Sequence, residues 1–185
     1  MICIIDFGSL KTKDIAIAIQ KLGINFQIIP WDESDKIDIQ NTNGFILSGA
    51  PILITESDIQ PYVLKYEFLM ETYVPVLGIC FGHQLLGIMN GAKIYKGVPV
   101  REQTKIFIDE ADELFAGFEK TVVMMEDHTE GISLPENFIK LASSNEYNVE
   151  AMKHERWPIY GVQFHPEVSG ANGMQLLSNF CKLVL

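Results

Sequence analysis

Short apolar runs alternate with helix-length segments, and this pattern constrains the fold of the chain more than any other feature. Residues 2–5 and 76–79 are brief apolar runs, which are typical of strands buried on both faces of a parallel sheet. Residues 14–22 are long enough for a helix, and residues 62–73 carry apolar side chains at helical spacing. The alternation predicts an α/β fold with a mostly parallel central sheet and helices on both faces.

The rest of the chain extends this pattern and adds strands of another kind. Further elements of the parallel part are predicted as strands at 24–30 and 45–47 and a helix at 83–89. Short strand-like segments separated by turn residues then predict antiparallel additions to the sheet; they are 105–108, 121–125, 139–142, 149–153 and 159–164. A helix with one apolar face is predicted at 172–185. Since no repeat or linker is evident, we expect residues 1–185 to form a single domain.

Composition excludes several classes of protein. The chain has 185 residues, of which 48% are hydrophobic and 21% charged, as in a globular domain with one core. Its net charge of −10 argues against nucleic-acid binding, which needs clustered Lys and Arg. The N-terminus lacks the pattern of a signal peptide and no run of about 20 apolar residues occurs. We therefore expect a cytoplasmic protein with no membrane association.

The segment Gly78-Ile79-Cys80-Phe81-Gly82 is the strongest catalytic signal. It joins a predicted strand to a predicted helix, as a nucleophile elbow does, and its glycines remove side chains that would collide in so sharp a turn. A thiol at a helix N-terminus is favoured as the thiolate. The alternative is that Cys80 is a small core residue, as most buried cysteines are. The other cysteines, Cys3 and Cys181, are predicted to be packing residues.

A histidine and a carboxylate end the last predicted strand. In His165-Pro166-Glu167 the first and third side chains point the same way along an extended backbone. Glu167 can therefore orient the His165 ring, whose other nitrogen is left to take a proton from Cys80, as in a catalytic triad. The alternative for a histidine at this position is a loop or capping role.

A third segment, Leu47-Ser48-Gly49-Ala50-Pro51, ends a predicted strand in small residues. Such an end leaves backbone N–H groups free to face a developing oxyanion, and the N–H of Phe81 would be a second donor. Taken alone the signal is weak, because turns with Gly and Pro are common.

These three segments, in this order, resemble the class I (triad) glutamine amidotransferases, and the resemblance covers essentially the whole chain. It implies the flavodoxin-like fold of that family, and L-glutamine as substrate. It also implies a γ-glutamyl thioester on Cys80, with His165 as acid and base and Glu167 stabilising its charge. An oxyanion hole would be formed at Gly49, Ala50 and Phe81, and Gln84 would shape the substrate pocket.

Within the family, residues 141–144, 149–154 and 158–160 are most similar to GMP synthetases. This implies a heterodimer with an ATP-pyrophosphatase subunit that uses ATP and Mg²⁺ to convert XMP to GMP. Because the sequence stops directly after the last predicted helix, a free-standing glutaminase subunit is expected, with no cofactor of its own. We expect no metal either, since the four histidines lack ligand spacing. Alternatives are the subunit of anthranilate or aminodeoxychorismate synthase, a catalytically silent regulatory module, and a stand-alone hydrolase.

Two segments raise questions that the structure can answer. Ala50 stands where the family usually has glycine, so a left-handed backbone there would be penalised by the methyl group. Asp127-His128-Thr129-Glu130 is similar to the Ser-His-Gly-Asp of GMP synthetases. It is predicted to be a loop, serving either to couple the subunits or as a solvated acidic turn.

Overall fold

Within residues 1–184, which the computed structural model describes, the chain forms eleven strands. They are β1 (Ile2–Asp6), β2 (Phe26–Pro30), β3 (Gly44–Leu47), β4 (Val76–Ile79), β5 (Ile94–Val100), β6 (Gln103–Ile108), β7 (Thr121–Met125), β8 (His128–Ile132), β9 (Phe138–Ser143), β10 (Ala151–His154) and β11 (Ile159–Val162). Nine of them form one sheet in the order β2-β1-β3-β4-β11-β10-β9-β6-β7, and β5 pairs with β8 in a second sheet.

Half of the large sheet is parallel and half is antiparallel. The strands β2, β1, β3, β4 and β11 pair in parallel, whereas β10, β9, β6 and β7 continue from β11 as antiparallel strands. The predicted fold class and the predicted antiparallel additions are confirmed. Because parallel strands end at the same edge of a sheet, the residues that follow β3, β4 and β11 are brought together there.

Four α-helices lie within the described residues: α1 (Thr12–Lys21), α2 (Gln60–Tyr66), α3 (Phe81–Met89) and α4 (Gly170–Val184). The predicted helix at 62–73 is shorter than expected, because the backbone of Tyr66 leaves helical geometry and a 3₁₀ turn, Glu67–Glu71, follows. None of these helices has the length and apolarity needed to cross a bilayer.

The central strands are buried on both faces, as their apolar runs predict. In β1, Ile2 and Ile4 pack in the cluster that contains the buried side chains of α1 and α4. Cys3 and Ile5 point the other way and pack with those of α2 and α3. This alternation follows from the two-residue period of a strand, and it confirms that helices cover both faces. Cys3 and Cys181 are buried packing residues, as predicted.

The second sheet is the part of the fold that sequence reasoning missed. Its strand β5 contains Gly97 and Pro99, which interrupt a strand pattern. A Cβ on Gly97 would lie 2.5 Å from the Tyr147 hydroxyl, so the ring requires a glycine there. The prediction of a loop at residues 127–130 is wrong, because β8 begins at His128. His128 and Glu130 are buried, which also excludes a solvated turn for these two.

Candidate active site

Cys80 lies between β4 and α3 in the sharp turn that the sequence predicts. Its backbone has φ 51° and ψ −104°, and the only other non-glycine residue with positive φ among residues 1–184 is Asn137. A Cβ on Gly78 would lie 2.5 Å from the carbonyl carbon of Gly82, and one on Gly82 would lie 2.5 Å from the Leu47 carbonyl oxygen. Both glycines are therefore required for the close approach of helix and strands.

The imidazole of His165 lies beside the thiol and is held by Glu167. His165 Nδ1 and Glu167 Oε1 are 2.7 Å apart, and both side chains are buried. Burial disfavours a charged ring, but the interactions of His165 with the neighbouring Cys80 and Glu167 outweigh it and raise the pKa of His165 to about 10. The structure thus brings the three predicted residues together, with the histidine between the thiol and the carboxylate.

The strand end at Ser48 has a defined backbone orientation. The buried Ser48 hydroxyl accepts a hydrogen bond from the Phe7 N–H (2.9 Å) and donates one to the Gly49 carbonyl (2.8 Å). Because the peptide bond is trans, the Ala50 N–H points away from the side on which this carbonyl is held. Ala50 is not among the residues with positive φ, so its methyl group meets no penalty in this conformation.

A cavity of about 410 Å³ opens beside the thiol and the imidazole. Ala50, Phe81 and Gln84 contribute to its wall together with Cys80 and His165. The Gln84 amide is fixed, because its Nε2 donates to the Glu130 carbonyl (2.8 Å) and to Gln163 Oε1 (3.1 Å). The volume is within the range of sites for small ligands.

The sequence of residues 3–184 matches the family described as "Glutamine amidotransferase class-I". The chain belongs to this family. A Pyrococcus abyssi protein named as a subunit of GMP synthase [glutamine-hydrolyzing] is 38% identical over 99% of this chain and 98% of its own length. A Spiroplasma kunkelii protein named GMP synthase [glutamine-hydrolyzing] is also 38% identical, over 97% of this chain but only 35% of its own. A crystal structure from Thermoplasma acidophilum, described as a candidate GMP synthase subunit, has a TM-score of 0.89 at 29% identity and covers 99% of this chain and 92% of that one.

Charged side chains at the rim of this amidotransferase cavity were not predicted as a group. Lys11, Arg101 and Asp127 all line the cavity, and Asp127 pairs with Lys11 (Nζ to Oδ2, 2.6 Å). They lie far apart in sequence, in three different connections, so no local pattern signals that they meet.

A buried acidic cluster lies next to the cavity wall of the amidotransferase. His128 Nε2 is 2.6 Å from Glu126 Oε2, and its Nδ1 donates to the Glu130 carbonyl (3.0 Å). Burial and the neighbouring charge of Glu126 hold the pKa of Glu150 well above its usual value. Potential ligand atoms of Glu126, His128 and Glu150 lie within 4.8 Å of one another, so these are the residues that could hold a metal ion. The four histidines alone did not indicate this group.

Proposed function

We propose that this chain is the glutamine-hydrolysing subunit of a two-subunit GMP synthase. The observation that carries the proposal is the array of Cys80, His165 and Glu167 beside a cavity suited to a small ligand. It occurs in a chain whose relatives of matching length are named as subunits of GMP synthase. The chain would release ammonia from L-glutamine and supply it to a separate ATP-pyrophosphatase subunit that converts XMP to GMP.

In the first half of the reaction, Cys80 is the nucleophile. His165 holds the thiol proton, and the thiolate attacks the side-chain amide carbon of glutamine. As the tetrahedral intermediate collapses, the carbon–nitrogen bond breaks and its electron pair leaves with nitrogen. His165 gives its proton to that nitrogen, so ammonia departs and a γ-glutamyl thioester remains on Cys80.

In the second half, water releases glutamate from the thioester. His165 now accepts a proton from the attacking water, and the carbon–sulfur bond breaks to restore the thiolate. Glu167 stabilises the imidazolium in both halves because its carboxylate oxygen lies 2.7 Å from His165 Nδ1.

Backbone N–H groups of Ala50 and Phe81 are proposed to stabilise the oxyanion of both intermediates. Loss of one such donor typically costs about 3 kcal/mol of transition-state stabilisation. Gly49 supports the arrangement because a Cβ there would lie 3.3 Å from His165 Cε1, close enough to press on the ring. Gln84 is proposed to shape the pocket for the glutamine side chain.

We further propose that residues 1–185 form one domain that needs no cofactor. ATP and Mg²⁺ would belong to the partner subunit in the heterodimer. The cysteines Cys3, Cys80 and Cys181 are all free thiols, which favours a reducing compartment, the cytoplasm.

The test measures glutamate release by the chain alone, and then with the ATP-pyrophosphatase subunit from the same genome plus XMP, ATP and Mg²⁺. We expect low basal release, strong stimulation by the partner, and formation of GMP. If this partner does not change the rate of turnover, the glutaminase assignment stands but XMP is not the acceptor of the ammonia. That result would favour an anthranilate or aminodeoxychorismate synthase partner or a stand-alone hydrolase. No turnover in either condition would favour another partner or a silent regulatory module.

A further inference from the structure

We propose that Ser169 is a positioning residue for His165: its hydroxyl holds the main chain of His165 against the edge of the sheet, independently of the bond between the imidazole and Glu167. The inference rests on the proposed function for the role of His165 as acid and base. It deepens that proposal by assigning a second restraint on the imidazole, which acts through the backbone.

The segment that carries His165 needs a restraint from outside its own strand. The strand β11 ends at Val162, and His165 has φ −104° and ψ 89° at the start of a 3₁₀ turn, Pro166–Val168. The residue therefore lies beyond the regular pairing of the sheet. Because a buried N–H or C=O without a partner is costly, the peptide groups of the buried His165 must find their partners elsewhere.

Three hydrogen bonds join His165, Met125 and Ser169 in a closed ring. The His165 N–H donates to the Met125 carbonyl (2.8 Å), and the Met125 N–H donates to the Ser169 hydroxyl oxygen (2.8 Å). The Ser169 hydroxyl in turn donates to the His165 carbonyl (2.6 Å), which is also approached by the Val168 N–H at a longer 3.3 Å. A hydroxyl suits this position because it accepts and donates at the same time.

The anchor of this ring is an edge of the large sheet. Met125 is the last residue of β7, which is an edge strand of the sheet that residues 1–184 form. Asn172 bonds to the same strand, from its Nδ2 to the Val123 carbonyl (3.0 Å). Peptide groups of residues two apart in a strand face the same side, so Val123 and Met125 both direct theirs away from β6. The restraint on His165 thus comes from the sheet, through Ser169.

The two restraints act on different parts of His165. Glu167 Oε1 lies 2.7 Å from Nδ1 and holds the ring, whereas the Ser169 hydroxyl holds the main chain. Ser169 is not among the residues that line the cavity, so its hydroxyl acts on the site only through His165. Loss of one restraint leaves the other in place, and loss of both lets the imidazole turn away from Cys80. The effects of removing the two side chains should therefore be coupled.

The experiment measures the rate at which iodoacetamide alkylates Cys80 at neutral pH, read from the mass of the peptide that contains this residue. Only the thiolate displaces the iodide, so the rate reports how well His165 holds the thiol proton, and it requires neither glutamine nor a partner subunit. We expect Ser169→Ala and Glu167→Ala each to slow alkylation. The double variant should lose about threefold or more beyond the product of the two single losses.

Two further variants are the matched controls. Ser169→Thr keeps the hydroxyl and should restore the rate of the parent. Asn172→Ala removes a hydrogen bond to the same strand and should neither slow alkylation nor couple to Glu167→Ala. Thermal melting of each variant establishes that the rates belong to folded protein. The inference is overturned if the double variant loses no more than the product of the single losses, or if Asn172→Ala slows alkylation as much as Ser169→Ala does.

Turnover separates this inference from the proposed function. In glutamine hydrolysis, Ser169→Ala is expected to lower kcat and to leave KM unchanged, because its hydroxyl lies outside the cavity. A raised KM with an unchanged kcat would contradict the positioning role. If alkylation shows the coupling but no partner elicits hydrolysis, the proposed function fails and the positioning of His165 stands. If the parent hydrolyses glutamine but the coupling is absent, the positioning role fails alone.

Discussion

The residues proposed to react are those whose roles depend on their immediate neighbours in the chain. Cys80 could be predicted because its two flanking glycines signal the turn, and His165 because Glu167 follows it at a spacing that lets the side chains meet. Arg101 and Asp127 could not be predicted as a pair. They lie close together only because the fold brings two separate connections between strands to the same place, and no local sequence pattern indicates this.

Replacement of the nucleophile should separate chemistry from folding. We expect Cys80→Ala to abolish glutamate release, because the thioester cannot form, and to keep the native circular dichroism and thermal melting. Cys3→Ala is the control, since it removes a thiol from the core of β1 and should remain active. Retained glutamate release from Cys80→Ala would overturn the nucleophile assignment.

The histidine and the carboxylate should contribute unequally. We expect His165→Ala to lower kcat more than Glu167→Ala does, by about tenfold or more, because the backbone also orients the imidazole. That orientation comes from the His165 N–H, which donates to the Met125 carbonyl (2.8 Å), and from Ser169, whose hydroxyl donates to the His165 carbonyl (2.6 Å). His154→Ala is the control outside the cavity, and an equal or larger loss at Glu167 would contradict the prediction.

At the scale of elements, the active site depends on how closely α3 approaches the strands. The parallel half of the sheet was predictable, because strands that are buried on both faces appear in the sequence as short apolar runs. The β5–β8 pair was not predictable, because Gly97 and Gly131 are needed to make room for the Tyr147 ring. These glycines interrupt the pattern of residues by which the two strands would be recognised in the sequence.

The contact between Gly82 and Leu47 should be sensitive to a single methyl group. We expect Gly82→Ala to lower the free energy of unfolding by about 2 kcal/mol or more, since backbone atoms 2.5 Å away must move. The control is Gly91→Ala, where the added Cβ meets no atom within 4 Å and only the positive φ costs about 1 kcal/mol. Chemical denaturation measures both, and a smaller loss for Gly82→Ala would contradict the geometry.

The acidic cluster, which joins β7 and β8 to the segment before β10, should make stability depend on pH. Glu150 has a raised pKa in the folded chain, so the folded state holds a proton that the unfolded state loses above about pH 4.5. Because only the folded state keeps this proton, the free energy of unfolding falls as pH rises from about 4.5 towards the pKa of Glu150 in the folded chain.

Glu150→Gln should remove that dependence while keeping an oxygen to accept from the Ser144 hydroxyl. We expect the variant to be more stable than the parent at pH 7, and the difference to vanish near pH 4.5. Denaturant titrations across that range measure it, with Glu119→Gln as an exposed control. A variant that is less stable at pH 7 would contradict the prediction.

At the scale of the whole molecule, the proposed catalytic residues and the charged residues Arg101 and Asp127 come from different halves of the sheet. The groups proposed to react follow the parallel strands β4 and β11, whereas Arg101 and Asp127 lie in the connections of the antiparallel part. The chain carries a net charge of −10, yet two cations, Lys11 and Arg101, line the cavity beside the carboxylates of Asp127 and Glu130. Overall composition does not reveal this local balance of charge.

The core beneath α4 should affect stability more than it affects catalysis. Phe180 of α4 is fully buried in the cluster that covers one face of the sheet. We expect Phe180→Ala to lower the free energy of unfolding by about 3–5 kcal/mol while kcat and KM per folded molecule stay unchanged. Denaturation curves and kinetics at low temperature measure the two effects, and a changed KM in folded protein would contradict the separation.

The turn at Cys80 also determines how its backbone meets solvent. The Cys80 N–H donates to the Val162 carbonyl (2.9 Å) and the Gly82 N–H to the Ser48 carbonyl (3.1 Å), so this one turn is tied to the ends of β3 and β11. An amide fixed in this way exchanges its hydrogen for deuterium only when the centre of the sheet opens. The proposed nucleophile would therefore combine a side chain that lines the cavity with one of the most slowly exchanging amides in the molecule.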